Sequence, residues 1–323
     1  VNRFGKYKKE AEKAIRAPVV SRDEALMEII SAWKAFADRK DVDWLGRPYY
    51  AGAQATKGMT VTPKDIGEFC IAVGAFRDTY AFHIKIGYFL SALLDHCDAP
   101  SARLPLSHLN VRIYDLDPRI KKDIEIEVEC LDDLTNWRFG SGKIILKGDA
   151  LDAGRGMNGG SIQVFGNVMR EVGRRMSNGE LWVRSVAGYI SPLIGLWMKG
   201  GRITVADNDS PARVGPLMQG GRIELRGDVL RAGDRMKHGQ IIVDGSAYSV
   251  GNGMEGGRIQ ISGDVDFIGD RGDPHHYHID DKNEKYIFMT HGGAIVNPEI
   301  PTRGGEVHVD GRIGSIGGTG ECR

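Results

Sequence analysis

The densest set of ligating side chains in the sequence lies between Asp270 and Asp281, where Asp273, His275, His276, His278, Asp280 and Asp281 crowd together. Imidazole nitrogens and carboxylates suit Zn²⁺ and similar ions. On an extended segment His276 and His278 project to one face and can share an ion, with His275 directly before them. The same composition also describes an ordinary solvated loop, and no downstream Cys or spaced His completes the ligand set. The expectation is therefore a metal ion at His275, His276 and His278 or none, with no other cofactor and no catalytic residue assigned.

Two stretches imitate phosphate-binding loops. Gly154-x-Gly156-x-x-Gly159 and Gly251-x-Gly253-x-x-Gly256 both spell the dinucleotide fingerprint. That motif works where a strand leads in and a helix leads out, so that the helix N-terminus meets the pyrophosphate. Here each one precedes a strand-like segment and belongs to a repeat, which argues against nucleotide binding. Gly140-Ser141-Gly142-Lys143 resembles the tail of a P-loop, but Ile144 stands where Ser or Thr would hold Mg²⁺.

The chain that must position such groups has 323 residues, 41% of them hydrophobic, enough for a sizeable core. Lys+Arg and Asp+Glu both number 43, which removes any electrostatic case for nucleic acid or an anionic membrane and favours protein partners. Cys70, Cys97, Cys130 and Cys322 are far apart with no Cys-x-x-Cys pair, so no zinc ribbon, iron–sulfur cluster or disulfide framework is expected. Val1 to Glu10 is charged and no run approaches the ~18 apolar residues of a membrane span. These features read as a cytoplasmic protein.

The grammar changes near Gly140: of the 44 glycines, seven precede it. Before it, Leu26, Ile29, Ile30, Trp33, Phe36 and Ala37 recur at helical spacing behind a Ser21/Glu24 capping box. Thr62 as N-cap with Pro63 at the first position predicts a second helix burying Ile66, Phe69, Cys70, Val73 and Phe76. Ile86, Phe89, Leu90, Leu93 and Leu94 predict a third, although Phe82, Ile84 and Ile86 also alternate as a strand would. Leu104 to Ile113 and Ile124-Glu125-Ile126-Glu127-Val128 read as strands.

Beyond Gly140 the unit is Gly-x-x-Met, a short alternating strand, and usually Gly-Asp or Gly-Asn. Six copies share one register, with Met157, Met176, Met198, Met218, Met236 and Met254 each three residues after a glycine. Each Met is followed by an aliphatic anchor: Ile162, Leu181, Ile203, Ile223, Ile241 and Ile259. Strands this short cannot bury a face alone, so the copies must stack and share one core. Glycine is required where the chain turns with φ > 0 or lies against the coil above. The Met and Ile columns then fill the interior. A soft-metal site needs sulfurs converging on one point, whereas these fall one per coil.

This unit resembles the GXGXG repeat found in the β-helical subunit of formylmethanofuran dehydrogenase, in the related subunit of the formyltransferase/hydrolase complex, and in the C-terminal domain of the glutamate synthase large subunit. The likeness covers residues 140 to 270 and is carried by Gly148-Asp149, by Gly154-Arg155-Gly156-Met157-Asn158-Gly159-Gly160 and by Gly227-Asp228 with Gly233-Asp234-Arg235-Met236. It implies a right-handed parallel β-helix that holds catalytic subunits together in one-carbon metabolism and is itself non-catalytic. The expected architecture is α+β in two domains: an α-helical domain over 1–100 and a β-helix over 101–323. The β-helix would comprise first coils at 104–139, regular repeats at 140–270, an insertion at 270–303 and a last coil at 304–323. Catalytic protein subunits are the expected partners. A stand-alone glutamate-synthase-type module and a metal-dependent enzyme built on His275–His278 are the alternatives.

Overall fold

The computed structural model describes residues 24–41, 48–79, 82–109, 112–113, 123–135, 142–188, 191–269, 287–290 and 305–316. Two compact units are distinguished, one spanning Val1–Asp152 with Gly160–Gly166, the other Ala153–Gly159 with Asn167–Arg323. The dominant architecture is a parallel β-solenoid of about 7 turns, accompanied by a few helices. No helix among the described residues is long and apolar enough to cross a membrane.

The described residues of the first unit include helices α1 (Glu24–Ala37), α2 (Pro48–Ala55), α3 (Pro63–Ala72) and α4 (Phe82–Asp95). The stripe read from the sequence on α1 is the buried one, with Trp33 and Phe36 fully enclosed. Trp33 sits at the centre of an aromatic cluster, its ring centroid 5.3 Å from Phe89, 5.6 Å from Phe82 and 6.2 Å from Phe69, mostly edge to face. Thr62 caps α3 as expected. Asp65 completes a reciprocal box by accepting from the Thr62 backbone N–H at 2.8 Å. The strand alternative for Phe82–Ile86 is not realised, because Phe82, Ile86, Phe89 and Leu93 all enter the core from one continuous helix. Helix α2 was not expected. Its sequence, PYYAGAQA, has no broad apolar stripe, and it is held instead by a close approach at Gly52, where a Cβ would sit 3.2 Å from the Tyr88 carbonyl oxygen. Ser21 of the expected capping box lies outside the described residues.

Lys85 is completely buried on α4. Its ammonium donates to the carbonyl oxygens of Ala37 at 2.5 Å and Arg39 at 2.6 Å, just where α1 runs out of intrahelical donors. Burial holds its charge below the ordinary lysine range, with Asp38 and Asp41 opposing that shift.

Strands Ser101–Pro105 and Asp123–Thr135 pair in parallel, Ser101 opposite Asp123 and Leu104 opposite Ile126. Between them a single turn, Ser107–Leu109, carries His108. Desolvation pushes the His108 imidazole below its ordinary value of 6.5, outweighing the backbone carbonyls of Pro105, Ile71 and Cys70. Between the two values the unfolded chain holds the extra proton, so stability rises with pH across that window and is lost as pH falls below 6.5. The urea midpoint is therefore expected to drop between about pH 7 and 5. A His108→Gln variant should show a shallower pH slope, and an unchanged slope would contradict this assignment.

In the second unit, one ladder runs through the strands Arg202–Asn208, Arg222–Arg226, Gln240–Asp244 and Arg258–Ile261. Ile203, Ile223, Ile241 and Ile259 are in register along it. A second ladder runs through Ala212–Val214, Val229–Ala232, Ala247–Val250 and Val265–Ile268. A third, shorter contact follows each Met: Gln219, Lys237 and Glu255 donate backbone N–H groups to Met198, Met218 and Met236 carbonyls at 2.7–2.8 Å. Every Met of the column is at most 1% exposed. Outer positions of the first ladder are tied by charge between successive coils, as in Arg202–Glu224 at 2.9 Å and Arg258–Glu306 at 2.6 Å.

The interruption after Gly269 has a definite topology at its ends. Glu306–Val309 stacks directly on Arg258–Ile261, and Ile313–Ile316 on Val265–Ile268, so the excursion leaves the stack unbroken. Within that excursion, strand Ile287–Thr290 pairs in parallel with Glu306–Val309. The strand later in sequence thus lies between two that precede it.

Candidate functional site

His275, His276 and His278, with Asp273, Asp280 and Asp281, lie outside the described residues. Among the described residues no group of three or more His, Cys, Asp or Glu side chains is placed to hold a metal ion. Both imitations of the dinucleotide fingerprint occupy the turn that ends in Met. Gly154, Gly156, Gly251 and Gly253 all have positive φ, between 61° and 71°, and the chain runs on from Gly251–Gly256 into strand Arg258–Ile261. Their glycines serve turn geometry. Cys70 and Cys97 are buried, and burial pushes the Cys70 thiol up, away from thiolate chemistry.

A broad, open groove of about 690 Å³ runs along the Gly-Asp corner, lined by Asn208 to Pro211, Asp228, Ser246, Tyr248, Asp264 and Asp266 among others. Its polar groups have structural work. Asp228 accepts the Ser246 backbone N–H at 2.8 Å, the Ser246 hydroxyl accepts that of Asp264 at 3.1 Å, and Asp264 accepts that of Arg312 at 2.8 Å. One side chain per coil thus satisfies a backbone donor of the next coil. The Arg312 backbone and guanidinium also hold the Asp264 carboxyl below its ordinary range. Where the sequence loses Gly-Asp, near Val186–Leu196 and Ala206–Gly215, other residues substitute. Asn208 donates its amide to the Ser210 and Asp228 carbonyls at 2.7 and 2.6 Å, and Ser210 accepts from Gly188 N–H at 2.7 Å.

A different feature is exposed on the Gly-x-x-Met corner. Each turn is closed by the Met N–H donating to the glycine carbonyl at 3.0–3.3 Å, and its third residue is left-handed. In that conformation the third residue points its own N–H at the next coil: Arg175 to Leu196 O at 2.8 Å, Trp197 to Pro216 O at 3.1 Å, Leu217 to Asp234 O at 2.8 Å, Arg235 to Asn252 O at 2.7 Å. The column reads Gly156, Arg175, Trp197, Leu217, Arg235, Gly253, so glycine holds both ends and bulky side chains the middle, at φ of 52–57°. Relative to glycine, each bulky residue there costs about 1–2 kcal/mol.

Around this column, Leu193, Leu196, Trp197, Pro216 and Leu217 are all half-buried. The guanidinium carbons of Arg174 and Arg175 lie 5.1 and 5.0 Å from the Trp197 ring centroid, within cation–π range. Leu193 is opposite Arg213, and Arg213 opposite Arg231, on the adjoining strands. Among the described residues two carboxylates enter this belt. Glu171 is paired with Arg174 at 2.8 Å, and Asp234 faces Arg231 at 3.6 Å with its carboxyl pushed up by desolvation.

The column escaped the sequence reading because glycine was expected wherever φ is positive. The available signal was its alignment, since the same position holds glycine in the first and last copies and Arg, Trp, Leu and Arg between. No family model, curated protein or solved structure matches the chain.

Proposed function

We propose that this chain is a non-catalytic scaffold subunit of a multi-subunit enzyme complex, its repeats wound right-handed as parallel crossovers are and similar in role to the β-helical subunit of formylmethanofuran dehydrogenase. The observation that carries this reading is how the described polar side chains of the solenoid are used. Asp228, Ser246, Asp264, Asn208 and the Arg202–Glu224 and Arg258–Glu306 pairs fasten one coil to the next. Such an assembly presents long, regular faces whose side chains advance by one strand spacing, ~4.8 Å, per coil. That geometry suits the alignment of other proteins. Its partners would be the catalytic members of a complex for one-carbon formyl chemistry. A glutamate-synthase-type module is the variant of the same reading, with an amidotransferase and a flavin subunit as partners.

Gentle affinity purification from the native cell tests this. Co-elution with enzyme subunits at fixed stoichiometry is expected, and their identity separates the two partner sets. Elution of the chain alone as a monomer would refute the scaffold role.

A further inference from the structure

We propose that the face formed by Leu196, Trp197, Pro216 and Leu217, framed by arginines, docks a partner protein that presents an apolar side chain flanked by carboxylates. This deepens the scaffold reading and rests on it. Three independent features of the solenoid converge on the same place.

The first is backbone conformation. A fold that needs only a left-handed turn takes glycine, as it does at Gly156 and Gly253. Four consecutive coils instead hold Arg175, Trp197, Leu217 and Arg235 in that conformation. Strain kept in a row, on an outer corner where no core packing requires it, points to a use outside the fold. The second is composition. Trp and Arg are the residue types that dominate binding energy at protein interfaces, with apolar side chains central and charges at the rim. Here Trp197 and Leu217 are central, and Arg175 and Arg235 occupy the flanking positions of the same column, one coil to either side.

The third is charge. Arg174, Arg175, Arg213, Arg231 and Arg235 surround the patch, against Glu171 and Asp234, which are already paired with Arg174 and Arg231. Among the described residues of the patch the surplus is positive, although the whole chain is neutral. A complementary surface therefore carries carboxylates around an apolar anchor. Single-stranded nucleic acid fits less well. It would need a series of π-faces, but of these side chains only Trp197 offers one, and two guanidinium groups already lie against it.

The test uses the full-length protein and a displayed random-peptide library as the probe. Selected peptides are expected to share an apolar residue with Asp or Glu on both sides. Their affinity should fall at least ~30-fold in a Trp197→Gly, Leu217→Gly double variant and by a similar factor in Arg175→Glu, Arg235→Glu. The two variants control each other for folding: the glycine variant relieves left-handed strain but gives up half-buried apolar area, so its thermal midpoint is measured beside the parent's, whereas Arg175→Glu, Arg235→Glu keeps Trp197 and Leu217 in place. Several results would overturn the proposal: peptides whose binding survives both variants, a selected consensus rich in Lys and Arg, or no enrichment at all. Saturable binding of a fluorescent dT20 oligonucleotide lost in the glycine variant would assign the face to nucleic acid instead. A concentration-dependent dimer lost in that variant would assign it to a second copy. Native purification separates this proposal from the broader one. If the glycine variant keeps the subunits that the parent retains, the face is wrong and the scaffold stands; if the parent itself elutes alone, the scaffold reading fails.

Discussion

Gly221→Ala is expected to destabilise the solenoid by about 3 kcal/mol, combining the cost of a left-handed alanine with that of overpacking. Gly221 sits at φ +90°, and a Cβ there would lie 2.7 Å from Met198 Cε and 2.8 Å from the Gly201 carbonyl oxygen. The methionine can swing aside, but the backbone of the preceding coil cannot. Gly179, Gly201, Gly239, Gly257 and Gly305 repeat the arrangement, each above the glycine or Met of the coil before, so the whole column approaches backbone to backbone. Because each coil touches only its neighbours, the damage should be local at first. Amide exchange should accelerate in the coils between Met198 and Ile241 while helices α1 to α4 keep their protection. Urea unfolding followed by far-ultraviolet circular dichroism measures the total. A midpoint within error of the parent protein would show that the column tolerates a side chain and that the stacking account is wrong. Lys199→Ala, at an exposed position on the same corner, should leave the midpoint unchanged.

The second large effect is expected at Lys85. Lys85→Ala should cost about 3 kcal/mol, since it strands the Ala37 and Arg39 carbonyls and leaves a cavity on α4. Lys85→Met restores most of the apolar volume without the donors, and should recover part of the loss while leaving about 2 kcal/mol from the unpaired carbonyls. The ordering parent, Met, Ala is the informative result. If Met equals the parent, the ammonium contributes nothing beyond its methylenes, and its role as a charged cap for α1 is wrong. Exchange at the last turn of α1 offers a second readout, because the loss should begin there.

The features legible in the sequence were those fixed by local chemistry or by repetition. Thr62-Pro63 announced α3 because capping needs only residues within one turn. Six registered Gly-x-x-Met units announced stacked coils, and the Ile and Met columns fill the interior as their spacing required. The position of α2 was not legible, since Gly52 against the Tyr88 carbonyl is a tertiary contact with no periodic trace. The Gly-Asp corner was visible as a pattern, but not its purpose. Only the paired coils reveal that Asp228, Ser246 and Asp264 each serve the next backbone N–H, or that the tie changes where Gly-Asp is lost, Asn208 donating to the Asp228 carbonyl of the next coil and Ser210 accepting from the Gly188 N–H of the one before. The strained row at Arg175, Trp197, Leu217 and Arg235 was hidden for a related reason. Propensity predicts glycine at positive φ, so a bulky side chain there reads as a lapse of the repeat until the dihedral angle is known.

The strand order around Glu306–Val309 bears on how the protein is made. During synthesis Ile287–Thr290 leaves the ribosome while the edge of Arg258–Ile261 that Glu306–Val309 finally occupies is still open. Both are short extended segments able to offer the same hydrogen bonds, so the earlier one is a competitor for the later one's place. Completing the stack requires that residues 287–290 stay off, or be displaced, until Glu306–Val309 has been translated and seated. The last coil is therefore inserted rather than appended, and assembly that proceeds coil by coil from the amino-terminal side cannot finish in that order.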